Sequence, residues 1–76
     1  MSGAQIAQRL TEAIEVAAAR DGASGLVSIT IDVLGAGEGE IHTAVTRKTR
    51  TLLFMNAELR AGDIRIATAN SVHRVG

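Results

Sequence analysis

The sequence predicts an α+β domain: one N-terminal helix packed on a four-stranded antiparallel sheet. Three observations carry the prediction. Apolar residues recur at three- and four-residue spacing up to Arg20. The period then falls to two, in four successive stretches. Glycine-bearing or polar turns separate those stretches.

The helix is expected over Ser2 to Arg20. Ile6, Leu10, Ala13 or Ile14, and Ala17 form its apolar stripe, while Gln5, Gln8, Arg9, Glu12 and Glu15 fall mainly elsewhere on the wheel. Ser2 and Gln5 have the Ser-x-x-Gln spacing of a capping box. Asp21-Gly22 ends the helix, because glycine accepts the left-handed conformation past a helix C-terminus.

Val27, Ile29, Ile31 and Val33 alternate with Ser28, Thr30 and Asp32 as a half-buried first strand. Gly35 to Gly39 is a flexible turn. Ile41, Thr43 and Val45 alternate with Glu40, His42 and Ala44 in a second strand. Arg47-Lys48-Thr49-Arg50 reads as the next hairpin turn. Leu52 to Arg60 is a third strand, apolar on both faces at its start and so expected centrally in the sheet. Ala61-Gly62-Asp63 turns the chain into a fourth strand carrying Ile64, Ile66, Thr68 and Asn70, with Val72 and Val75 beyond. Apolar side chains on both faces of the sheet exceed what one helix covers, which points to a partner subunit.

Composition narrows the function. The chain has 76 residues and a mass of 7.9 kDa, which allows one domain, residues 1–76. Size scaling gives roughly 4,400 Å² of folded surface against roughly 11,500 Å² unfolded, a marginal core for a monomer. A hydrophobic fraction of 46% adds to the expectation of oligomerisation. There is no cysteine, so neither a disulfide nor a zinc thiolate is available. His42 and His73 have no spacing partner that would build a metal site, and no cofactor is expected. Both read as surface or interface residues. Eight basic and eight acidic residues cancel, and Phe54 is the sole aromatic, which argues against nucleic-acid binding. No apolar run approaches a membrane span, and no signal peptide is visible. A cytoplasmic protein is the expectation.

Residues 44–60, Ala-Val-Thr-Arg-Lys-Thr-Arg-Thr-Leu-Leu-Phe-Met-Asn-Ala-Glu-Leu-Arg, carry a more specific signal. They resemble a stretch of the hotdog-fold acyl-CoA thioesterases, of the phenylacetyl-CoA thioesterase type. In that family a basic turn is followed by a strand like Leu53-Phe54-Met55-Asn56-Ala57-Glu58-Leu59. The family's last strand resembles Ile66-Ala67-Thr68-Ala69-Asn70-Ser71. The order of helix, strand, glycine-rich turn and meander also matches. The resemblance implies a hotdog-like fold lacking the family's segment before the central helix, and a sheet ordered second, third, fourth, first strand.

It also implies a site. The family's His-Gly-Gly turn falls on Ser2-Gly3-Ala4, where Gly3 and Ala4 would supply backbone N–H groups to a thioester oxyanion. The family's acidic residue falls on Thr11. Glu12 is adjacent and is the candidate general base, although one residue along a helix is a rotation of about 100°. Its other reading is a solvated residue paired with Arg9. Arg47, Lys48 and Arg50 are the candidate CoA-phosphate ligands; their other reading is a solvated turn protecting strand ends. The histidine is missing and the acid is displaced, so the implied activity is a thioesterase-like hydrolase with a degenerate site. The alternative is a non-catalytic homodimer that binds an acyl or CoA ligand, or a structural protein. The family dimerises through the strand after the helix. Here that is residues 26–34, which would give one eight-stranded sheet across two copies.

Overall fold

The computed structural model describes residues 2–76. Helix α1 spans Gly3–Arg20, and four strands follow: β1 (Ala23–Val33), β2 (Glu40–Lys48), β3 (Leu52–Ala61) and β4 (Ile64–Val75). The helix begins where the sequence placed its cap. The Ser2 hydroxyl accepts from the Gln5 N–H at 3.2 Å, and Gln5 Oε1 accepts from the Ser2 N–H at 2.8 Å. It ends at Asp21 as C-cap, with Gly22 at φ +90° donating to the Ala19 carbonyl.

The strands form one antiparallel sheet in the order β1-β4-β3-β2, the order the resemblance implied. Helix α1 covers one face through Ile6, Leu10, Ile14 and Ala18, a strict four-residue repeat. Beneath it lie Leu53, Met55, Ala57 and Leu59 of β3 and Ala67 and Ala69 of β4. Fully burying each of the larger side chains contributes roughly 1.5–3 kcal/mol. The irregularity beside Leu59 and Arg60 lets both Ile66 and Ala67 enter this core.

The other face has no element over it. Register sets its cross-strand rows as Glu40–Arg60–Arg65, His42–Glu58–Thr68–Asp32, Ala44–Asn56–Asn70–Thr30 and Arg47–Phe54–Val72–Ser28. Leu52 and Arg74 make the last pair.

Three expectations are corrected. Arg47 and Lys48 belong to β2, and the turn is only Thr49–Thr51. Thr49 closes it tightly: its hydroxyl accepts from the Leu52 N–H at 3.0 Å, and its own N–H donates to the Leu52 carbonyl. Strand β1 starts at Ala23, earlier than its alternating residues suggested, because bulges near Gly25 and Val27 let pairing continue. Val27 is displaced by the second bulge and is 52% exposed. His73, expected at the surface or at an interface, is buried beneath the helix.

Candidate functional site

Gly3 and Ala4 form the first turn of α1, and both are exposed. The cap uses the N–H groups of Gln5 and Ile6. Those of Gly3 and Ala4 have no intrahelical acceptor, as at any helix start. They are donors of the kind that an oxyanion would use.

Glu12 is not beside them. It lies roughly 12 Å further along the helix axis than Ala4, at about 1.5 Å per residue. A single carbonyl cannot touch both within one chain. Glu12 is exposed and accepts from Gln8 Nε2 at 3.1 Å. Together with Arg9 it borders two adjoining hollows of about 500 and 440 Å³. Val16 and Ala17, with Ile41 and Thr43 of β2, wall the second hollow. Glu12 therefore serves the flank of α1 turned towards β2. Thr11, where the resemblance would set an acidic residue, donates its hydroxyl to the Ala7 carbonyl at 2.8 Å.

The opposite flank carries a different set. Glu15, Ala19, Leu26 and His73 line a cavity of about 200 Å³ beside β1. His73 is 2% exposed, and its Nε2 shares a 2.8 Å hydrogen bond with the Ser71 hydroxyl. Burial lowers the His73 pKa below the usual imidazole value, and the charge of Glu15 opposes that shift. Ser71 is itself buried and does not border the cavity, so the pair satisfies buried polarity and does not present a nucleophile. Alternation along β4 places Ser71 and His73 on the same face as Ala69, which is the signal that would have located both.

The basic cluster divides. Arg47 and Lys48 project to opposite faces of the sheet as neighbours in a strand do, and the bulge between Val45 and Arg47 gives Lys48 the helix side. Lys48 Nζ donates to the Asp21 carbonyl at 2.8 Å, placing a cation on the helix C-terminus. Arg47 stands on the uncovered face opposite Phe54, and Arg50 occupies the turn. His42 lies 3.6 Å from Glu40 at the surface. Among the described residues no cluster of histidine and carboxylate side chains is arranged to hold a metal. No helix is long and apolar enough to cross a membrane.

No protein-family model matches the chain, and neither does any curated protein. Solved structures do. A proposed thioesterase from Ralstonia eutropha JMP134, a phenylacetic acid degradation-related protein, superposes with a TM-score of 0.84 at 18% identity. The match covers 99% of this chain and 62% of that one. The BH2602 protein of Bacillus halodurans, solved with CoA, superposes with a TM-score of 0.83 at 12% identity, over 100% of this chain and 56% of its own. This chain thus spans less than two thirds of either neighbour's length. At such identities the likeness is one of fold, and the fold is hotdog-like.

Proposed function

We propose that the chain is a member of the hotdog acyl-CoA thioesterase group that binds an acyl-CoA as a homodimer and does not turn it over efficiently. The fold neighbours support the ligand class, since one is a proposed thioesterase and another was solved with CoA. The distance from Gly3 and Ala4 to Glu12 carries the loss of turnover. Thioester hydrolysis needs donors on the developing oxyanion and a base on the attacking water at the same carbonyl. Here they lie two turns of helix apart, and Glu12 faces the β2 flank.

The homodimer is proposed through β1. Val27 and Val33 are exposed on that strand, and Leu34, just beyond it, is 60% exposed. The other free edge, β2, carries Glu40, His42, Arg47 and Lys48, the kind of charged edge that resists pairing. The charges also favour an antiparallel match. Arg20, Arg47, Lys48, Arg50 and Arg74 crowd the end where α1 stops and β4 finishes, and outnumber the acids Glu15 and Asp21 there. Asp32, Glu38, Glu40, Glu58 and Asp63 gather at the other end with Arg60 and Arg65. A twofold axis across β1 sets the basic end of each copy beside the acidic end of the other.

Hydrolysis is the second reading, and the free N–H groups of Gly3 and Ala4 favour it. Because one carbonyl cannot reach both within one chain, those groups would hold the oxyanion while Glu12 of the partner subunit took a proton from the attacking water. The C–S bond would then break, and the CoA thiol would leave protonated. Thiol release from a panel of acyl-CoAs separates the two readings. The proposal expects rates near the uncatalysed background. Rapid release that is abolished in Glu12→Gln would replace it with the second reading.

A further inference from the structure

The uncovered face of the sheet is polarised in a way that the chain's net charge of zero conceals. At the β2-start end acids and bases stand together. Glu58 Oε2 lies 3.8 Å from Arg60 Nε and 3.7 Å from Arg65 Nε. At the other end Arg47 and Arg74 are exposed, no acid stands in their rows, and neither has an ion-pair partner among the described residues. Arg50 adds a further exposed guanidinium in the adjoining turn.

Apolar groups lie between these cations. Phe54, the sole aromatic, sits opposite both Arg47 and Val72, and Leu52 sits opposite Arg74. Phe54 is half-buried with no element above it, so part of its ring surface is open. Arg47 and Arg74 stand on strands either side of β3. Two strand spacings separate them laterally by roughly 10 Å, within the reach of two long side chains towards a group over the ring. Beside Arg74 the bulged start of β1 opens a hollow of about 350 Å³, lined also by Ser24, Gly25, Leu26 and Val27.

We propose that this basic end of the uncovered face binds the phosphates of a nucleotide, with Arg47 and Arg74 on the phosphate oxygens and the base stacked on Phe54. The chemistry fits each part. Guanidinium forks match phosphate oxygens with paired, charge-assisted hydrogen bonds. A flat ring accepts any base by stacking. The inference rests on the acyl-CoA reading for which nucleotide is taken, since CoA is one source of that chemistry and a free nucleotide is another. It replaces Lys48, which is committed to the helix end, with Arg74 and Phe54.

The test is calorimetric titration at low salt with four probes: coenzyme A, ADP, pantetheine and inorganic phosphate. ADP and coenzyme A should bind with similar affinity, and pantetheine should not bind. The Arg47→Gln/Arg74→Gln double variant should weaken ADP about tenfold or more. Phe54→Leu should weaken ADP several-fold while leaving inorganic phosphate unchanged. Circular dichroism of each variant checks that the fold is kept, as expected for exposed arginines and for a half-buried phenylalanine replaced by leucine. No ADP binding, or ADP binding unchanged in the double variant, overturns the site. Coenzyme A and pantetheine binding alike while ADP fails would also overturn it, yet leave the acyl-CoA proposal standing. Binding of ADP alone, without coenzyme A, would keep this site and remove the acyl-CoA proposal.

Discussion

A buried imidazole predicts that mild acid destabilises the protein. His73 has its folded pKa lowered by burial, against a partial opposing effect of Glu15, while the unfolded chain titrates near pH 6.5. The folded state then binds fewer protons than the unfolded state between those two values. The contribution of His73 to stability is full above about pH 6.5 and falls as pH drops towards the folded pKa. Thermal melts from about pH 7.5 to about pH 5.5 should show a falling Tm, and His73→Leu should flatten that part of the slope. An unchanged slope in the variant would mean that the ring is not the titrating group. The sequence concealed the burial of His73 because histidine beside an exposed arginine resembles a surface pair. It concealed the role of Lys48 for a different reason. Alternation assigns Val45 and Arg47 to one face, and a bulge that no residue type announces puts Lys48 on the helix side instead.

At the scale of elements, α1 was the most legible part of the chain, because its cap, stripe and stop are all local. Its capping box satisfies two first-turn groups on a helix that brings four buried side chains to the sheet. Ser2→Ala should therefore cost about 1 kcal/mol. For a domain of this size that corresponds to a fall of roughly 4–8 °C in Tm, measurable by calorimetry. The strands were legible in number and order and less so in extent. Both bulges of β1 depend on how β4 lies against it, which is a pairing property and not a local one. The start of β2 has a similar non-local cause. A Cβ at Gly39 would overlap the Arg60 carbonyl, so glycine is needed where this segment crosses the β3 end. The candidate site needs no such dependence to come apart. Gly3, Ala4 and Glu12 are near neighbours in sequence, yet helix geometry holds the first two apart from the third.

For the whole molecule, the accessible surface is 4624 Å², close to the roughly 4,400 Å² that mass alone predicts. Such a chain buries little beyond one helix on one sheet face, so further stability is expected from a second copy. Replacing Val27 and Val33 together by lysine puts charge on the β1 edge and should convert dimers into monomers in sedimentation velocity at micromolar concentration. A wild-type chain that already sediments as a monomer would remove the proposed assembly. The central claim is that an acyl-CoA is held intact. Equilibrium dialysis against an acyl-CoA, with mass spectrometry of both compartments, tests it most directly. The account predicts acyl-CoA enriched on the protein side and recovered unhydrolysed. Equal concentrations across the membrane, or acyl-CoA converted to free CoA and acid on the protein side, would contradict it.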